Sequence, residues 1–158
     1  MILTDILSCE RVGVDSTDPG IRTKDAALQA LAELLAGGQH QVPTRELYRV
    51  LAERETLQST GIGNGVAIPH GATEGATCQV AAVLVCPRGV PFDAADGRPV
   101  RIFFAVVGPK RATGEHLKIL ARVSRLLRDS SFREKLVSSA TRREAFDLIR
   151  SAEEGRAA

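Results

Sequence analysis

Gln79-Val80-Ala81-Ala82-Val83-Leu84-Val85-Cys86 and Arg101-Ile102-Phe103-Phe104-Ala105-Val106-Val107 are the two stretches whose reading decides the fold. Each is a continuous apolar run of strand length, and neither alternates apolar with polar residues. A strand with one wet face alternates; one without alternation is covered on both faces, and here the cover has to be helical. Between the two runs lies the polar segment Asp93 to Pro99, whose Asp96-Gly97 marks a turn.

Outward on the N-terminal side, Leu28, Leu31, Leu34 and Leu35 recur at helical spacing in a helix over 24–36, with Thr23 as N-cap and Gly37-Gly38 as stop. A second helix runs from Arg45 to about Arg54, after Pro43-Thr44, and Arg11 to Asp15 forms one brief strand. Ser59 to Gly65 reads as a loop, and Val66-Ala67-Ile68 as a short strand stopped by Pro69. On the C-terminal side, Thr113 caps a helix that continues to about Arg128. Ser131-x-x-Glu134 and Thr141-x-x-Glu144 are capping boxes that open two shorter helices. The order strand, two helices, three strands, three helices predicts an α/β protein: a three-layer α/β/α arrangement with a mixed β-sheet covered by helices on both faces. One domain is expected over 1–152, with 153–158 as a frayed C-terminal tail.

The 158 residues suit one domain at ~100–200 residues each. Lys and Arg total 21 against 19 Asp and Glu, a net charge of +2 that gives no reason to expect a nucleic acid as partner. Cys9, Cys78 and Cys86 are odd in number and lack C-x-x-C spacing, which argues against a disulfide framework or zinc ribbon and for a reducing compartment. The start, Met1-Ile2-Leu3-Thr4-Asp5, has no basic region with a long apolar run behind it, and no stretch approaches the ~20 apolar residues of a membrane span. A cytoplasmic protein without membrane insertion is expected.

Chemistry concentrates at few positions. Gly61-Ile62-Gly63-Asn64-Gly65 falls short of G-x-G-x-x-G, because Val66 stands where glycine is needed and no helix follows. It is either a turn that needs positive φ or a loop whose backbone N–H groups approach an anion. The histidines are His40, His70 and His116. His70 follows Pro69 at the end of an apolar strand, where rigid scaffold meets loop. His116 lies in the first turn of a helix, where free N–H groups favour an anion. No H-E-x-x-H or H-x-x-x-H spacing accompanies them, so no metal is expected. Lys118, Arg122, Arg125 and Arg128 line one helix face, either as a solvated surface or as a basic docking stripe; with Phe 5, Tyr 1 and Trp 0, base stacking has little support.

The run Glu53-Arg54-Glu55-Thr56-Leu57-Gln58-Ser59-Thr60-Gly61-Ile62-Gly63-Asn64-Gly65-Val66-Ala67-Ile68-Pro69-His70-Gly71 closely resembles the phosphorylation-site motif of type-2 EIIA domains. These belong to the bacterial phosphoenolpyruvate:sugar phosphotransferase system, in its fructose, mannitol and nitrogen-regulatory branches. The similarity continues through Pro91 to Val100, Phe103-Phe104-Ala105, Glu115 to Leu120 and Phe132 to Leu136, nearly the whole chain. The resemblance implies a histidine phosphocarrier in which His70 accepts the phosphoryl group and His116 stabilises it. Arg54 supplies a cation at the rim, unless it forms a structural ion pair with Glu55 or another acid. Ser59, Thr60, Gly61 and Gly63 would form the phosphate-binding loop. The implied donor is a small phosphocarrier protein, HPr or its nitrogen-branch counterpart NPr; the recipient is a regulated protein or a IIB component. No cofactor is implied. The string from Ser59 to Gly65 looks most like the nitrogen-regulatory branch, and a chain without fused IIB or IIC segments fits a regulatory role. A free-standing fructose-type IIA that feeds a sugar permease is the alternative. A non-catalytic regulatory binding module is another, against which the presence of both His70 and His116 argues.

Overall fold

The computed structural model describes residues 2–38 and 42–157. In chain order its elements are β1 (Val12–Val14), α1 (Lys24–Leu35), α2 (Thr44–Leu57), β2 (Gly61–Gly63), β3 (Val66–Ala67), β4 (His70–Thr73), β5 (Val80–Val90), β6 (Val100–Pro109), α3 (Thr113–Leu126), α4 (Ser130–Val137) and α5 (Arg142–Ala157), with 3-10 turns at Leu3–Asp5 and Cys9–Arg11. The two apolar runs form the central pair: β5 and β6 are antiparallel, with Val83 opposite Phe104. β1 extends the sheet parallel to β5. On the far side of β6, β3 and β4 lie one after the other, both parallel to it, and β2 closes the edge antiparallel to β3. The sheet is mixed, as expected.

Its two faces carry separate cores. Ala82, Leu84, Phe103, Ala105 and Val107 pack under α1 and α2. Ala81, Val83, Val85, Ile102, Phe104 and Val106 pack under the three C-terminal helices. Successive residues of one strand enter opposite cores, so both sets must be apolar and the sequence cannot alternate. Among the described residues no helix is long and apolar enough to cross a membrane.

Several helix ends differ from expectation. Thr23 does cap α1, accepting from Ala26 N–H at 3.1 Å. α2 runs one turn beyond Arg54, to Leu57. Thr113 is the first residue of α3 rather than its cap, and its hydroxyl donates to the Lys110 carbonyl. α3 ends at Leu126, so Arg128 lies beyond the helix that presents Lys118, Arg122 and Arg125. Asp129, not Ser131, caps α4, because its carboxylate reaches two free N–H groups, those of Ser131 and Phe132. Thr141 accepts from Glu144 N–H as a box requires, but the Glu144 carboxylate reaches back to Ala140 N–H, one residue earlier than the motif places it.

The frayed tail expected from Glu153 onward is helical through Ala157. Glu153 is buried, and its carboxylate accepts from Leu3 N–H at 2.6 Å and Thr4 N–H at 3.1 Å. A helical turn begins with unsatisfied donors, and a carboxylate there supplies both hydrogen bonds and charge complementarity. That long-range contact is invisible in a small, polar C-terminal sequence. Glu153→Ala is expected to cost about 2 kcal/mol by leaving two amides without an acceptor, lowering the midpoint of a thermal melt by about 4–8 °C.

Candidate active site

Pro69 breaks the line between β3 and β4, since it has no N–H to offer the ladder. Ile68 N–H donates to the Thr60 carbonyl, but Thr60 N–H turns to Glu55, so the Ile68 carbonyl has no ladder partner on that side, and His70 Nδ1 lies 2.7 Å from it. A carbonyl only accepts, so Nδ1 carries the proton and Nε2 keeps its lone pair. His70 then opens β4 opposite Val106. Three residues past Val106, β6 ends at Pro109, where Ala112 N–H donates to the Pro109 carbonyl at 3.1 Å. This turn reverses the chain into α3 and brings His116 back beside His70, with ring centroids 5.9 Å apart and planes inclined at 50°.

Burial pushes the His70 pKa down, and the Arg54 charge adds to this; the Ile68 hydrogen bond and Glu55 oppose it. His116 is lowered by burial first and by His70 second. His116 Nδ1 lies 2.9 Å from Oε1 of Gln79, a buried residue immediately before β5. Both imidazoles are therefore biased toward the neutral form and tied at Nδ1.

His70 faces a cleft of about 270 Å³ lined by Arg54, Gln58, Ser59, Thr60, Ile62, Ile68, Leu120 and Ser124. The Arg54 guanidinium, at the C-terminal end of α2, is held by a 2.8 Å bond to the Gln58 carbonyl. It does not pair with Glu55, whose carboxylate instead meets Lys24 Nζ at 2.9 Å. A larger groove of about 780 Å³, whose lining includes Arg88, Arg98, Arg101 and Arg133, contains neither His70 nor His116. His40 lies outside the described residues.

The loop differs from the phosphate cradle expected of it. Residues 61–67 form a β-hairpin, whose tip holds Asn64 at φ 58° and Gly65 at φ 76°. Positive φ at both central residues is what a two-residue hairpin turn demands, and Asn-Gly is its usual sequence. Gly61 and Gly63 therefore serve strand pairing and close packing. Gly61 N–H is taken by Ser59 Oγ at 3.1 Å, and a Cβ at 61 would meet the Ala94 Cα at 2.8 Å. Neither glycine lines the cleft. Ser59 Oγ donates to the Phe92 carbonyl at 2.7 Å. Thr60 is buried, and its hydroxyl and N–H both donate to Glu55. These side chains shape the cleft wall; their donors are already spent. Gln58, Leu120, Ser124 and Gln79 were not singled out in the sequence. The first three are ordinary residues of a helix end or face, and Gln79 opens an apolar run that reads only as core.

Lys118, Arg122 and Arg125 are exposed on α3, with Arg122 3.9 Å from the Glu153 carboxylate. No group of three or more His, Cys, Asp or Glu able to hold a metal ion occurs among the described residues.

The family profile described as "Phosphoenolpyruvate-dependent sugar phosphotransferase system, EIIA 2" matches residues 6–152. A "Nitrogen regulatory protein" of Pseudomonas aeruginosa is 34% identical over 133 residues, covering 84% of this chain and 86% of its own length. One of Bradyrhizobium diazoefficiens is 36% identical over 131 residues, covering 82% and 84%. The crystal structure of the nitrogen regulatory protein IIA-Ntr from Neisseria meningitidis superposes with a TM-score of 0.83 at 30% identity, covering 92% of this chain and 97% of its own.

Proposed function

Because the chain belongs to the EIIA type 2 family of the phosphoenolpyruvate-dependent sugar phosphotransferase system, we propose that it is a cytoplasmic histidine phosphocarrier of the nitrogen-regulatory kind. One domain, residues 1–152, would carry the activity. Phospho-HPr or phospho-NPr is the donor, and the phosphorylation state of His70 controls a downstream protein. The observation that carries the reading is the His70 Nδ1–H bond to the Ile68 carbonyl, which turns an unprotonated Nε2 into the available nucleophile.

In the transfer, the Nε2 lone pair forms the new P–N bond while the donor's N–P bond breaks and its electron pair stays on the donor nitrogen. Nδ1–H stays on Ile68, so the phosphorylated ring keeps a positive charge and the phosphoryl group remains transferable. Little covalent work is left for the protein; positioning and charge do the rest. Arg54 offers a cation at the cleft rim, and His116 faces the equatorial oxygens. Adding about −1.5 to −2 charges at this rim is enough to make or abolish a partner interface.

A macromolecular donor suits the surroundings. Leu57, Ile62 and Leu117 are 80%, 53% and 60% exposed, and they sit on α2, β2 and α3, the elements that frame the histidines. Large apolar side chains left in water around a polar cleft mark a docking surface.

The test is incubation with phosphorylated donor across a pH series. Because the His70 pKa is lowered, the neutral form persists through pH 7. Initial rates are expected to stay level from about pH 8 to 7 and to fall only below the ordinary histidine value of about 6.5. Rates that climb on acidification would contradict a neutral nucleophile.

A further inference from the structure

We propose that Gln79 is a positioning residue for His116, holding it in the tautomer whose Nε2 must first bind a proton before it can donate to a phosphoryl oxygen. Phosphorylation of His70 is then coupled to proton uptake. The inference deepens the phosphocarrier reading and rests on it.

Three observations converge on Gln79. Its side-chain oxygen accepts from His116 Nδ1 at 2.9 Å, across 37 residues of sequence. Its Nε2 is buried and has no hydrogen-bond partner. An unpaired buried amide donor opposes stability, a cost that leucine of similar size would not incur, so the His116 bond is what this side chain contributes. Finally, a Cβ at Gly108, on β6, would overlap the Gln79 amide at all three of its outer atoms. The amide can lie under His116 only because residue 108 has no side chain, which makes Gln79 and Gly108 one unit.

An amide oxygen has no hydrogen, so Nδ1 must supply the proton of this bond and neutral His116 keeps a lone pair at Nε2. That nitrogen would repel a phosphoryl oxygen. The charged environment explains when this changes. Burial and His70, on β4, disfavour the cation at rest; Arg54 and Glu55, on α2, act in turn on His70, while Glu115 and Lys118 on α3 are exposed. A phosphoryl dianion on His70 reverses the local charge. One proton from bulk water then binds His116 Nε2, and the imidazolium bridges Gln79 and the phosphoryl group. On onward transfer the phosphoryl group leaves and the proton returns to water.

The experiment uses the full chain labelled with ¹⁵N, observing His116 ring nitrogens before and after phosphorylation by the donor, with transfer rates measured in parallel. Expected are Nδ1–H in the resting protein, both nitrogens protonated in the phosphorylated one, and a Gln79→Leu variant that melts no lower than wild type. That variant should lose the Nδ1–H preference, and because a neutral Nε2–H tautomer can then donate directly, its His116 should take up no proton when His70 is phosphorylated. Gln79→Glu, which places a carboxylate beside the ring, should instead leave both His116 nitrogens protonated before His70 is phosphorylated. An unchanged tautomer in Gln79→Leu, or undiminished proton uptake by its His116, would overturn the proposal, as would Nε2–H on resting wild-type His116. If the wild type takes no label from the donor, the phosphocarrier reading fails instead, while the resting tautomer still decides whether Gln79 orients His116.

Discussion

His70→Ala is expected to accept no phosphoryl group from a phosphorylated donor, with the fold retained. The substitution removes the Nε2 lone pair, and its neighbour His116 is not placed to replace it: His116 is anchored on Gln79 and presented to the site as a second imidazole 5.9 Å away. The structural cost is small. His70 is half-buried, and its side chain makes one hydrogen bond, to a carbonyl bordering an open cleft, so about 1 kcal/mol is lost. Acid-labile label from the donor, followed with circular dichroism on the same sample, measures both effects. Label that persists at the wild-type rate, on His116 or His40, would remove His70 from the reaction. A melt lowered by tens of degrees would make the loss of label structural instead.

The largest stability effect is expected at Glu55. Its side chain is 4% exposed, with Oε1 accepting from Thr60 N–H at 3.0 Å and from the Thr60 hydroxyl, and Oε2 paired with Lys24 Nζ at 2.9 Å. Truncation to alanine leaves the Thr60 amide and hydroxyl without their acceptor and the Lys24 ammonium with only Asp93, 3.7 Å away. Breaking a fully buried ion pair from one side costs ~3–5 kcal/mol. Lys24 is 25% exposed and recovers some hydration, so the lower end applies, about 3 kcal/mol. In a chain of this size that lowers the melting midpoint by about 6–12 °C. Because Thr60 leads directly into β2, phosphoryl acceptance should slow as well, through a loosened cleft wall. Glu55→Gln keeps an acceptor for the Thr60 amide and should lose less. Equal melts for Glu55→Ala and wild type would show that the carboxylate contributes nothing there.

Glu55 illustrates where the sequence was legible and where it was not. Beside Arg54 it reads as one half of a local charge pair; its partner is Lys24, on another helix, 31 positions earlier. The glycine loop divides in the same way. Asn64-Gly65 carried a hairpin signal that positive φ confirms. Of the two readings open for 61–65, a turn needing positive φ or an anion loop, the hairpin bears out the turn, and side chains take the backbone donors at both ends, Ser59 at Gly61 and Asp96 at Asn64. The α4 cap moved two residues, from Ser131 to Asp129, because the Asp129 carboxylate reaches the free N–H groups of Ser131 and Phe132. Glu153 looked like tail because only its carboxylate's distant contact with the first turn makes it core.

Unbroken apolar runs at 79–86 and 101–107 dictated by themselves a sheet covered on both sides, since every side chain of such a strand must leave water. Scarce histidine, placed after Pro69 and in a helix's first turn, likewise marked where chemistry could lie. Which ring nitrogen is free to react was decided only by the tertiary structure. That choice depends on the Ile68 carbonyl, left free because Thr60 N–H turns to Glu55, and on the Gln79 amide, admitted by a missing side chain at Gly108. A tautomer is set by the atom within hydrogen-bond distance of the ring, and for His116 that atom belongs to a residue far along the chain that only folding brings near.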